Sequence, residues 1–107
     1  MRFEIILSPE AARQMRSLPA HIRSRVRDAL ERHLRFEPAK LSKSRIKRLR
    51  GLERPQYRLR VDDTRVFYDV RENEVGVLAI VPKALAQEWL DGKGTPAAQS
   101  GPRRDEG

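Results

Sequence analysis

The stretch Gln56-Tyr57-Arg58-Leu59-Arg60-Val61-Asp62-Asp63-Thr64-Arg65-Val66-Phe67-Tyr68 decides the fold of this chain. Successive side chains of a strand point to opposite faces of its sheet. In the first half, alternation sets Tyr57, Leu59 and Val61 on one side and Gln56, Arg58 and Arg60 on the other. In the second half, Arg65 and Phe67 share a face opposite Val66 and Tyr68. Asp62-Asp63 between them is tight-turn chemistry, so the two runs are expected to form an antiparallel hairpin. With the apolar set turned toward helices, Arg58, Arg60 and Arg65 converge on an open face, and Phe67 then lies on the open side too.

Outward from this hairpin the pattern continues. The second strand is expected to run to Arg71, with Glu72-Asn73-Glu74 turning into a third strand over Val75–Val81. That last run is apolar on both faces, which suits a central strand, and Gly76 is the expected site of a bulge. After Pro82 a short helix, Lys83 to Asp91, carries Leu85, Ala86, Trp89 and Leu90. Upstream, Lys40 to Arg54 has weak periodicity and is read as a loop with one helical turn, closed by Gly51. Before it, Ile22, Val26, Ala29, Leu30, Leu34 and Phe36 recur at helical spacing and end ahead of Pro38. Ser8 sits where an N-cap satisfies free amides and Pro9 fits the first helical position, opening a helix that ends near Leu18. Residues 2–7 alternate as a strand. The expected architecture is α+β in two layers: an antiparallel-rich four-stranded sheet with an N-terminal helical hairpin on one face and a short C-terminal helix. Residues 1–91 form the expected domain. Residues 92–107 hold four of the six glycines and no large apolar side chain, and are expected to be a disordered tail.

The 107 residues suit a single domain. Lys and Arg number 23 against 15 Asp and Glu, a formal charge of +8. Such a balance fits nucleic acid, an acidic protein or an anionic membrane as partner, with a merely solvated basic surface as the competing reading. There is no cysteine, which excludes disulfides, a thiolate nucleophile and Cys-based metal sites. The longest apolar stretch, Val77 to Val81, is too short to cross a bilayer, and the N-terminal residues lack an export-type apolar run. A cytoplasmic protein with no membrane partner is expected. His21 and His33 have no partner at metal-ligand spacing, and no metalloprotease helix, phosphate-binding glycine loop or nucleophile elbow occurs. No metal and no cofactor are expected.

Arginine stands out instead. Between Lys40 and Arg60 nine basic residues face one acid, Glu53. In the loop portion, Lys47, Arg48, Arg50 and Arg54 are either a solvated face or a grip on an RNA backbone. Arg58, Arg60 and Arg65 on adjacent strands would repel one another without an anionic guest. Each can donate forked, charge-assisted hydrogen bonds to a phosphate, worth roughly 1.5–3 kcal/mol each. Phe67 is either a stacking surface for a base or a hydrophobic plug beneath the arginines.

Leu49-Arg50-Gly51-Leu52, then Tyr57-Arg58-Leu59-Arg60-Val61, then Arg65-Val66-Phe67-Tyr68 together resemble the centre of the RelE/ParE toxin superfamily. There a Leu-x-Gly turn leads into a strand of alternating basic residues and then an Arg-Val-x-Tyr strand. The opening strand and the Ser8-Pro9-Glu10-Ala11 helix start are similar too, so the resemblance covers residues 2–91. It implies the toxin of a type II toxin–antitoxin system, arresting growth when an unstable antitoxin is degraded. RelE-like members cut mRNA on the ribosome without metal, by attack of a ribose 2′-hydroxyl on the adjacent phosphate. On that resemblance Arg58 and Arg60 hold and activate the substrate, and Arg65 stabilises charge on the scissile phosphate. The chain departs from the pattern after its last strand, where potent members carry a further arginine and a tyrosine. Here Lys83 offers the only cation, and Trp89 and Leu90, near the tyrosine's place, cannot transfer a proton. A general acid or base contributes typically about 10²–10⁴-fold, so a weak or strictly ribosome-dependent nuclease is expected. Two alternatives stay open: a ParE-like inhibitor of DNA gyrase acting by binding, and a decayed toxin that only binds its antitoxin. The expected partners are a cognate acidic antitoxin, mRNA on the ribosome, and operator DNA reached only through the antitoxin.

Overall fold

In the computed structural model the described residues are 1–97. The expected α+β architecture is present, built on a five-stranded sheet in the order β1-β6-β5-β4-β2. These strands are β1 (Glu4–Leu7), β2 (Ile46–Arg48), β4 (Tyr57–Val61), β5 (Thr64–Arg71) and β6 (Glu74–Pro82). β1 pairs parallel to β6, and the other pairs are antiparallel. The expectation of four strands is corrected to five because β2 lies inside the segment read as a loop. At three residues it is too short to display a period, and its partner β4 defines it. The same segment supplies β3 (Leu52–Arg54), which pairs with β7 (Thr95–Pro96) as a separate two-stranded ribbon. Gly51 makes the turn between β2 and β3 at φ +75°, a conformation that favours glycine.

The helical layer follows the punctuation of the sequence. The Ser8 hydroxyl accepts the Ala11 amide and so caps α1 (Pro9–Ser17), which starts on proline. Pro19 breaks the chain, and α2 (Ala20–Ala29) begins at once. From Leu30 to Leu34 it continues as a wider π-helical turn. The hairpin lies over Leu59, Val61, Val66, Tyr68, Val75, Val77 and Ile80, with Ala11, Met15, Val26, Leu30 and Leu34 filling the layer between. Tyr68 is buried and its hydroxyl donates to the Pro38 carbonyl at 2.6 Å, fixing the chain that leaves the helices.

The bulge falls two residues beyond Gly76. Phe67 pairs with Ala79 and Tyr68 with Val77, leaving Leu78 as the extra residue, while Gly76 sits in register with Asp69 and Ile6. A bulge frees ladder groups, and α1 takes them up. Ser8 Oγ donates to the Leu78 carbonyl, and Gln14 Oε1 accepts from the Ile80 amide at 2.6 Å.

On the opposite face of the sheet, α3 (Lys83–Lys93) packs Ala86, Trp89 and Leu90 against Phe67, Ala79 and Val81. The helix extends past the expected end at Asp91, Thr95–Pro96 then pair with β3, and the Ala97 amide donates to the Gly51 carbonyl, so Gly92 to Ala97, expected in the tail, join the ordered chain. The remainder of the expected tail, 98–107, lies outside the described residues. Among the described residues no helix is long and apolar enough to cross a membrane.

Candidate nucleic-acid interface

The β4–β5 register pairs Arg58 with Phe67 and Arg60 with Arg65, and β2 adds Lys47 opposite Arg58. Residues directly across a ladder share a face, and i, i+2 neighbours along a strand share it too. Lys47, Arg58, Arg60, Arg65 and Phe67 are thereby brought to the face away from the helical hairpin. Three of them form the cluster expected from the sequence. Among the described residues, none of Arg58, Arg60 and Arg65 forms an ion pair with a carboxylate.

Each arginine has its own setting. Arg60 is exposed. Arg58 is half-buried; its Nε is shielded from water without a partner, and one terminal nitrogen donates a long 3.4 Å bond to the Ser44 carbonyl. Its proton affinity is lowered, chiefly by burial and then by the positive charges of Arg65 and Arg60. Arg65 is 7% exposed and donates from Nη1 to the carbonyls of Asp62 and Thr64 at 2.8 and 3.1 Å. Its affinity is likewise lowered by burial first, then by Arg60, with Asp63 offsetting part of this. Arg65 is thus a wall of the site, pinned to its own turn. Arg58 and Arg60 are the groups free to meet a ligand.

The other expected site residues separate. Lys47 is exposed beside Arg58. Lys83 is exposed at the start of α3, with its amide bonded to the Asp63 carbonyl at 2.7 Å. Arg50 is exposed in the turn that follows β2. Arg48 sits in register with Tyr57 and lays its guanidinium over that ring at 5.1 Å, away from the Arg58 face. Arg54 donates from Nε to Asp69 at 2.8 Å; Asp69 also accepts the Gln56 amide. That makes Arg54 a clamp between β3 and β5. Phe67 is 1% exposed and stacks flat against Trp89, with ring centroids 5.1 Å apart. Of the two readings left open for Phe67, the structure takes the plug: α3 occupies the surface a base would need. Trp89 is held in turn by a 2.8 Å bond from its indole nitrogen to Glu10 of α1.

Sequence reasoning missed Arg45, whose carbonyl accepts the Arg60 amide across the β2 edge. Counting the alternation of β2 back from Lys47 places Arg45 opposite Arg60, a signal hidden while that segment is read as loop. It also missed Asp69, the carboxylate that takes Arg54 out of the free cations.

The family of the ParE toxin of type II toxin–antitoxin systems, parDE, matches this chain over residues 5–84. The chain belongs to that family. The match spans β1 through the start of α3, including the basic strand and the Arg65 strand, and it agrees with the resemblance to the RelE/ParE superfamily. No curated protein matches in sequence. Among solved structures, the chain is similar to the toxin–antitoxin complex RelBE2 from Mycobacterium tuberculosis, with 20% identity and a TM-score of 0.63 over 77% of this chain and 99% of that one. It is similar to the archaeal RelE–RelB complex from Pyrococcus horikoshii OT3 at 27% identity and TM-score 0.59, over 78% of this chain and 97% of that one. It also resembles the YoeB dimer from Staphylococcus aureus at 16% identity and TM-score 0.55, over 76% and 97%. This is a toxin-fold member of the family.

Proposed function

We propose that this ParE-family toxin arrests growth by seating RNA phosphates on the face formed by Lys47, Arg58 and Arg60, with mRNA on the ribosome as the substrate. The observation that carries this reading is Arg58, a half-buried guanidinium flanked by two like charges, with a shielded Nε and no carboxylate. Folding has collected charges that an anion would relieve. A phosphate diester accepts forked bonds from Arg58 and Arg60, and Lys47 adds a mobile cation at the next strand.

In the reaction that RelE-like toxins perform, a ribose 2′-oxygen bonds to the adjacent phosphorus while the bond to the leaving 5′-oxygen breaks. The 2′-hydroxyl loses a proton and the leaving oxygen gains one. Arg58 and Arg60 would position that phosphate and stabilise its extra negative charge. Arg65, pinned to Asp62 and Thr64, is a positioning residue that keeps the β4–β5 corner in place and adds to the field. Both tyrosines lie in register on the helix-facing side of the sheet, so neither serves as proton carrier here. Proton transfer then falls to the ribosome or solvent, which makes turnover slow and ribosome-dependent. Lys83 is the cation at the far end of the same corner. The acidic antitoxin would neutralise this toxin by covering the basic face or the hairpin, and operator DNA would be reached through it.

The absence of a tyrosine on the arginine side and the roof of α3 over Phe67 favour a second reading, a gyrase inhibitor acting by binding. Induction followed within minutes by primer extension on a translated message and by plasmid topology separates the two. Cleavage at codons before any change in supercoiling supports the first. Intact transcripts with altered supercoiling would replace it with the second, and no growth effect in any host would leave a toxin that only binds its antitoxin.

A further inference from the structure

Two adjoining hollows, of about 270 and 230 Å³, lie where the π-helical turn of α2 meets the β2 edge, and both are lined by Arg32, His33 and Arg45. π-helical turns are rare and concentrate at functional sites, because the widened turn re-aims side chains that a regular helix would hold elsewhere. The acids around the groove are largely occupied: Asp62 is bonded by Arg25, and Glu37 lies 3.8 Å from Lys40. Asp28 is the remaining carboxylate, at the end next to Arg25. The β2 end is left positive, with Arg32 and Arg45 in no ion pair among the described residues. A third hollow, lined by Ser44, Arg45, Arg60 and Asp62, joins this groove to the arginine face. Arg45 borders all three and Arg60 the third, so Arg60, Arg45, Arg32 and His33 follow one another over the sheet edge, with Asp62, held by Arg25, beside them.

Resting on the reading of the sheet face as an RNA site, we propose that the Arg32–His33–Arg45 groove is a second phosphate subsite, taking the backbone of the same single strand as it passes over the β2 edge. Its ligand is a phosphate diester flanked by ribose. Arg45 and Arg32 donate to the phosphate oxygens, and His33 donates when protonated. His33 is held below its usual proton affinity by burial and by the charges of Arg45 and Arg32. A phosphate between these groups reverses the last two influences, so binding should draw a proton onto the imidazole as pH falls.

The test uses the full chain and fluorescein-labelled oligouridylates of 4 and 12 nucleotides, followed by fluorescence anisotropy. Wild type should gain affinity on lengthening, and Arg32→Gln/Arg45→Gln should lose that gain, about tenfold or more. Its dependence on salt should weaken by about 1.4 in logarithmic slope, two cations at roughly 0.7 each for single strands. Arg32→Lys/Arg45→Lys should restore most of the slope, and His33→Gln should abolish tighter 12-mer binding at acid pH. If the Gln pair binds the 12-mer as wild type does while Arg58→Gln weakens it, the subsite is wrong and the sheet-face reading stands. If wild type binds neither oligonucleotide, the sheet-face reading falls and the subsite with it. If millimolar inorganic phosphate shifts the His33 imidazole resonance but the Gln pair leaves 12-mer affinity untouched, the groove takes free phosphate and the strand path is overturned.

Discussion

Arg58 is held where its charge is least comfortable, half-buried beside Arg60 and Arg65 with a shielded Nε. Residues kept for function commonly cost stability. Arg58→Gln should therefore leave the urea midpoint unchanged or raise it, and added salt should stabilise wild type more than the variant by screening the cluster. Asp69 is the opposite case, a buried carboxylate that accepts both Arg54 Nε and the Gln56 amide. Asp69→Ala strands that amide and should cost about 2–3 kcal/mol in urea denaturation. Tyr68 gives a pH-dependent check. Burial raises its phenol well above the ordinary value near 10, so above about pH 10 the unfolded chain ionises first and stability falls as pH rises. Tyr68→Phe should remove that alkaline loss, while costing about 1–2 kcal/mol at neutral pH for the lost bond to Pro38. An unchanged alkaline slope in Tyr68→Phe would mean other groups set it.

Among the elements, those that carry their own pattern were legible in the sequence. The alternation of Tyr57–Val61 and Thr64–Tyr68 announced the hairpin and its faces, and Ser8-Pro9 announced the start of α1. What stayed hidden depends on partners distant in sequence. β2 is three residues of which two are basic, and only the ladder with β4 makes it a strand. The bulge at Leu78 is settled by Ser8, the cap of α1, and by Gln14 within it, 70 and 66 residues away in sequence, rather than by the nearby glycine. Arg58, Arg60 and Arg65 were legible as a cluster because a period of two fixes the face. That Arg65 would be pinned to its own turn, Arg54 claimed by Asp69 and Phe67 roofed by Trp89 was not, since each follows from tertiary packing. The roof makes a prediction of its own. Trp89→Ala removes both the stack on Phe67 and the bond to Glu10, so amide protection should collapse in α3 while persisting in β5 and β6. Glu10→Ala, which keeps the stack, should have a smaller effect. Gly94 closes the same element: a Cβ there would lie 2.6 Å from the Leu90 carbonyl oxygen, so Gly94→Ala should loosen the helix end and the β3–β7 ribbon.

At the scale of the whole molecule, the fold divides labour between two faces of one sheet. The helical hairpin buries the larger core, and α3 covers part of the other side. The uncovered corner, toward β4 and β2, brings Lys47, Arg58 and Arg60 together, none of them in an ion pair among the described residues. A net charge of +8 would speed capture of any polyanion, RNA or acidic antitoxin alike. The two compete if the antitoxin covers this corner, so rising salt should weaken both associations. Survival after induced expression of Arg58→Gln/Arg60→Gln, set beside wild type and paired with thermal melts of the purified proteins, tests the central claim most directly. The account predicts that the folded variant melts at or above the wild-type temperature and no longer arrests growth. A variant that melts normally and kills as wild type does would contradict it.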